Sequence, residues 1–260
     1  MVNRESLKRR FSRSRFPIPD SPNAMRLELQ PAYVLHSRPY RETSLLLECL
    51  TRDQGRLGVV ARGVRGEKTR LRRAQLEPFQ SLAMGLLLRG ELATLTSVET
   101  TGTPLRLLGN AGLAGLYLNE LVVRLSERQD PSVALFDAYA LALQRLATGE
   151  SLAWSLRRFE RDLLQAMGYA LQLEHEAETG ELLEPQAYYE YRVEQGAVAA
   201  VPGRRQVLRG SDLLALAHDR MPDDEGLRAL RGMMREVIRF HLGGGELRAW
   251  RVLGGATSWR

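Results

Sequence analysis

The sequence predicts an α+β chain, with a five-stranded β-domain followed by a helical domain that carries a small β-hairpin insertion. Short β-rich runs separated by turn residues fill positions 32–99. From about Leu107 the apolar residues switch to helical spacing. Charge divides at the same place: residues 25–106 carry net +5, and residues 107–260 carry net −3.

The β-domain opens with Tyr33–Ser37, Thr43–Thr51 and Leu57–Ala61. Arg38-Pro39 and Asp53-Gln54-Gly55 supply the turns between them. A basic loop follows, Arg62–Arg73, and then Phe79–Arg89 and Leu92–Val98, split by Gly90. Five strands with long turns suit a closed or partly closed barrel such as an OB-fold. An open five-stranded sheet fits the same pattern. Strand alternation puts Cys49 on one face with Leu45 and Leu47, where a packed, inert thiol is expected.

Leu113, Leu116, Leu118, Leu121, Val122 and Leu125 mark a first helix of about five turns. Gln129-Asp130-Pro131 breaks it, and Pro131 suits the first turn of a second helix that stops at Gly149. A third helix opens at Ser151. Its Leu152, Leu156, Phe159, Leu163 and Met167 form one buried face, with Arg157, Arg158 and Arg161 off it. The acidic run 174–184 precedes Tyr188, Tyr189 and Tyr191, where a hairpin turns at Gln195-Gly196. Two more helices, near 211–220 and 224–242, end at the glycines 243–245. Three regions follow: a basic, disordered extension over 1–25, a β-domain over 26–104 and a helical domain over 105–260. For the first 24 residues, an upstream start ahead of Met25 is an equal reading.

Composition removes several function classes. One cysteine excludes an intrachain disulfide framework and a multi-cysteine zinc cage. There is no apolar run of the roughly 18 residues that a membrane span needs, and the N-terminus lacks a secretory apolar core. Gly63-Val-Arg-Gly66-Glu67-Lys68-Thr69 resembles a phosphate loop but sets a carboxylate, Glu67, before the lysine. His36, His175, His218 and His241 are scattered, without metal-ligand spacing. No catalytic, metal or cofactor site is expected.

Binding is the better reading. Arg62, Arg65, Lys68, Arg70, Arg72 and Arg73 suit a polyanion held through counterion release, and Arg38, Arg41, Arg52 and Arg56 extend the patch over neighbouring turns. Aromatic residues are few in this half, so backbone tracking is favoured over base stacking. The alternative is a metal-dependent nucleic-acid-processing enzyme, with Glu42, Asp53 and Glu77 as the acids to examine.

Eight motifs then carry a resemblance: AYVLHSRPYRETSLLL, TRDQGRLGVVARGVRG, QLEPFQSLAMGLLLRGELATL, YLNELVVRL, LFDAYALALQRLA, LRRFERDLLQAMGYAL, TGELLEPQAYYEYR and HLGGGELRAWRVL. In this order, from about Ala32 to Leu253, the chain resembles the bacterial RecO family of recombination mediators. The resemblance implies an N-terminal OB-fold barrel and a helical C-terminal domain. It implies binding of single- and double-stranded DNA and strand annealing without nucleotide hydrolysis. It further implies two protein partners, RecR and the C-terminal tail of single-stranded DNA-binding protein, in loading RecA onto coated DNA. The implied location is the cytoplasm, with the nucleoid. The family's tail-binding arginine falls on Arg157, with Arg158 and Arg161 beside it. Some branches hold zinc with four cysteines after the GYAL segment. Here Leu173-Glu174-His175-Glu176 stands there, so no zinc is expected.

Overall fold

Strand β1 (Met25–Tyr40) is long because it pairs twice. Its first part lies antiparallel to β4 (Leu82–Arg89) and its second part to β2 (Ser44–Thr51). The ladder shifts register between Leu27 and Gln30, where Leu29 takes a left-handed backbone. A bulge of this kind bends a strand enough to turn a barrel corner. The expected start at Tyr33 missed the first half, because Arg26, Glu28 and Gln30 interrupt the apolar pattern and Pro31 lies inside it. Strand β2 continues to β3 (Gly55–Ala61), which pairs in parallel with β5 (Leu92–Thr100), and β5 returns to β4. The computed structural model, which describes residues 25–64, 73–203 and 207–255, thus shows a closed barrel in the order β1-β2-β3-β5-β4. That settles closed barrel over open sheet, and the type is the OB-fold.

Side chains alternate as the pleat requires. Val34, Leu47, Cys49, Val59, Met84 and Leu86 fill the barrel with no exposed surface. Cys49 is there with Leu45 and Leu47, and burial raises its thiol pKa far above the ordinary range. From the other face of the wall, Tyr33, Leu35 and Leu50 join a second core built mainly from helices.

Those helices are α1 (Gly109–Leu125), α2 (Val133–Thr148) and α3 (Leu152–Ala166). The hydroxyls of Ser132 and Ser151 accept backbone N–H bonds at the starts of α2 and α3, and Gly149 ends α2 in the left-handed conformation. Phe79 was expected to open β4. Instead it has φ 72, and its ring packs against Gly115 of α1, where a Cβ would come within 2.8 Å of it. A short 3-10 turn, Arg73–Leu76, lies between β3 and β4.

Helix α3 is buried on two sides. Leu156, Phe159 and Leu163 face the core shared with the barrel, while Trp154 and Leu164 face a third core. The latter core also holds α4 (Gly210–Ala217), α5 (Asp224–His241) and a small sheet. The sheet has three strands in the order β7-β6-β8: β6 (Tyr188–Arg192), β7 (Gly196–Ala199) and β8 (Val207–Arg209). The expected hairpin is β6 and β7. The third strand is too short to announce itself by alternation. Helix α6 (Arg248–Gly255) starts on the Glu120 carboxylate, which accepts the N–H groups of Arg248 and Ala249 at 2.7 and 2.8 Å.

Barrel and helices are joined by buried polar bonds as well as apolar contact. The β1 ladder shifts register between Val34 and His36, at Leu35. Asn119 of α1 donates to the Leu35 carbonyl at 2.8 Å and accepts from the Tyr139 hydroxyl at 2.6 Å. Removing the amide strands a carbonyl and a phenol in a dry interior. Asn119→Ala is expected to lower unfolding free energy by roughly 2–4 kcal/mol. Denaturant titration checks this, and a loss under about 0.5 kcal/mol would contradict it.

Candidate nucleic-acid interface

The two ends of the barrel differ. At one end the β2–β3 turn meets the helical domain. Gly55 has φ +66 and leaves no room for a Cβ, which would stand 2.2 Å from the Asp130 carbonyl. Beside it, Arg56 donates to Glu48 at 3.1 Å and to the Ser126 carbonyl at 2.8 Å, at the end of α1. Arg128 also pairs with Glu48, and Arg52 lies 3.7 Å from Asp137 of α2. Arg56 was expected to face nucleic acid. It instead holds the two domains together, and its side chain is only 12% exposed. Sequence does not separate an arginine bound to a helix end from one bound to phosphate.

The other end is open. A groove of about 450 Å³ lies between the β1–β2 turn and the β4–β5 turn, lined by Tyr40, Arg41, Thr43, Arg62, Arg89 and Thr94 among others. In OB-folds these two turns flank the oligonucleotide-binding face. Three exposed arginines converge there, and among the described residues no carboxylate lines the groove. Exposed Glu42 and Glu91 stand in the adjoining turns. The Arg41 guanidinium lies 5.2 Å from the centre of the Tyr40 ring, a cation–π contact. Arg41 has φ 53, so a strained turn presents this side chain.

Of the residues expected to bind, the groove gathers Arg41 and Arg62. Arg38 is exposed two residues before Tyr40 and outside the lining, and Arg73 is exposed at the start of the 3-10 turn. Arg65, Lys68, Arg70 and Arg72 lie outside the described residues, as do residues 1–24. The 65–72 segment is joined to the end of β3 that carries Arg62. Arg89 was missed. Its signal was its place immediately before Gly90 in a strand-ending turn.

On α3 the three arginines part company. Arg157 is buried, contrary to the expectation that it lies off the apolar face, because α3 has cores on both sides. It pairs with the buried Glu160, which also accepts the Tyr117 hydroxyl at 2.6 Å. Burial pushes the Glu160 carboxyl above the usual carboxylate range, and the Arg157 charge opposes that. Arg158 pairs with Glu150 and Asp219, and Arg161 with Asp162 and Asp219. These two reach the surface, with side chains 15% and 17% exposed.

Of the candidate acids, Glu77 is exposed just after the 3-10 turn, and the other two stand at opposite ends of a strand. Glu42 precedes β2 and Asp53 follows it, so roughly 25 Å of strand separates them. Among the described residues, no three His, Cys, Asp or Glu side chains are grouped to hold a metal ion. No described helix is long and apolar enough to cross a membrane.

Replacing Arg41, Arg62 and Arg89 together with glutamine is expected to flatten the salt dependence of single-strand binding. The log–log slope should fall by roughly 2, from about 0.7 per lost phosphate contact. Arg56→Gln should leave the slope unchanged and lower the melting temperature. Fluorescence anisotropy across a salt series reads the first, and the reverse pattern would contradict the assignment of the two barrel ends.

Two family models match. Residues 25–104 match the model described as "Recombination protein O N terminal", and residues 108–251 match "Recombination protein O C terminal". Among curated relatives, a DNA repair protein RecO from Stenotrophomonas maltophilia (strain R551-3) is 46% identical, covering 88% of this chain and 97% of the relative. One from Xanthomonas campestris pv. campestris (strain B100) is 43% identical with the same coverage.

Proposed function

This chain belongs to the recombination protein O family, a family of DNA repair and recombination, and on that premise we propose that it is a non-enzymatic recombination mediator. It binds single- and double-stranded DNA and anneals complementary strands. With RecR it helps load RecA onto DNA coated by single-stranded DNA-binding protein, at the nucleoid in the cytoplasm.

The observation that carries this reading is the open barrel end, where Arg41, Arg62 and Arg89 surround a groove with no acid among the described residues of its lining. Guanidinium groups suit phosphate because they bond it in a bidentate fork. Exposed Arg38 and Arg73 add basic charge to the same domain, and Arg65, Lys68, Arg70 and Arg72 follow Arg62 in sequence. Tyr40 is covered by Arg41, which favours backbone contact over stacking. Glu42 and Asp53 stand too far apart to share a metal, which favours holding strands over cutting them.

The helical domain recruits the partners. A tail ending in a free carboxylate docks at Arg158 and Arg161, where it competes with Glu150, Asp162 and Asp219 for the guanidinium groups. Arg157 acts from behind them, held in place by Glu160.

Mixed with complementary strands, the protein is expected to anneal them equally with and without magnesium and ATP and to leave them intact. Gel analysis reads this, and magnesium-dependent cleavage would favour the enzyme reading. Arg158→Glu with Arg161→Glu should weaken binding of the single-stranded DNA-binding protein's tail peptide about tenfold while bare DNA binding holds. Calorimetric titration of the peptide checks this, and wild-type affinity would remove the assignment.

A further inference from the structure

The helical domain is acidic as a whole, yet one part of it is not. After the acidic first turn of α5 (Asp224, Glu225), residues 227–251 hold six arginines against two glutamates, net +4, which leaves net −7 on the rest of 107–260. Four of these arginines, Arg228, Arg231, Arg235 and Arg239, recur along α5 at helical spacing, and all are exposed. They occupy one stripe, and at 1.5 Å of rise per residue the row runs roughly 16 Å. The opposite face of α5 is spent on packing: Leu230, Met233, Met234, Val237 and Ile238 are buried.

The row is only partly neutralised. Arg235 lies 3.9 Å from Glu246, both half exposed, and Arg228 donates to the Asp224 carbonyl oxygen. Among the described residues Arg231 and Arg239 have no carboxylate within 4 Å, although the Arg231 charge acts on the buried Glu160. Exposed Arg248 and Arg251 of α6 add to the charge. Two half-exposed aromatic rings lie beside the last turn of α5, round the helix from the row. Phe240 is 49% exposed and Tyr169 is 51% exposed. The ring of His241 contacts both, at 5.4 and 4.2 Å between centroids.

A row of arginines of this length suits single-stranded nucleic acid, whose phosphates the cations can track, with the half-exposed Phe240 ring beside its last turn to receive a base. A lipid surface is a poorer match, because interfacial helices insert an apolar face and that of α5 is already buried. We propose that the Arg228–Arg239 row of α5, with Phe240 beside its last turn, is a second single-strand-binding surface, so that one molecule holds two strands at once. This rests on the annealing function proposed above and supplies what annealing requires, two strands on one body.

The test is native mass spectrometry of the full chain with two non-complementary oligonucleotides of different mass. Wild type should give a complex of one protein with two strands. The variant R228Q/R231Q/R235Q/R239Q should keep the one-strand complex within about twofold and lose the two-strand complex at least tenfold. Circular dichroism melting confirms that this variant folds, and Arg231→Glu serves as a milder second variant with loss in the same direction. An undiminished two-strand complex in both variants overturns the proposal while leaving the barrel reading intact. So does a variant that loses only affinity for phosphatidylglycerol vesicles or polyglutamate. A wild-type protein that binds neither strand overturns both.

Discussion

The junction at the β2–β3 end of the barrel is the constraint on which the rest of the structure depends. Arg56 is fixed between Glu48 and the last turn of α1, Gly55 lies against the Asp130 backbone, and Tyr33 packs its ring against Phe136 and Tyr139. These contacts seat the helical domain over one end of the barrel. Closing that end decides which turns remain free, and so where a long polyanion can run. The bulge carbonyl of Leu35, bonded to Asn119, keeps the barrel wall continuous with the helical core at the same seam.

Electrostatics then divides the work. Arginines at the seam are matched by carboxylates or helix carbonyls and are consumed by structure. At the open end, Arg41, Arg62 and Arg89 have no carboxylate among the described groove residues. The helical domain repeats this division. Arg157 is neutralised in the interior by Glu160, while the α5 row stands outside it. Net charge by domain therefore conceals the arrangement, since an acidic domain carries a basic face.

Much of this was legible in the residues. Alternating strands, cap residues and the 3.6-residue period gave the element order. Burial of Cys49 beside Leu45 and Leu47 followed from strand alternation alone. Barrel closure did not follow, because it depends on β3 meeting β5 in parallel, a pairing between distant segments with no local signature. The first half of β1 was hidden by Arg26, Glu28 and Pro31, which belong to a wall partly facing water. At the candidate site, turn position put Arg41 and Arg62 among the expected residues that line the groove, but Arg56 looked identical to them. Only a partner seventy residues away, Ser126, distinguishes it. The burial of Arg157 was hidden for a related reason: one apolar stripe on α3 was visible, and the second, through Trp154 and Leu164, was too sparse to read as a face.

The central claim is that the open barrel end meets nucleic acid and the seam does not. Arginine modification by phenylglyoxal, mapped by mass spectrometry with and without a single-stranded oligonucleotide, tests it most directly. Arg41, Arg62 and Arg89 should react in the free protein and be protected by the strand, whereas Arg56 should stay unreactive throughout. Protection confined to the seam, or no protection at Arg41, Arg62 and Arg89, would contradict it.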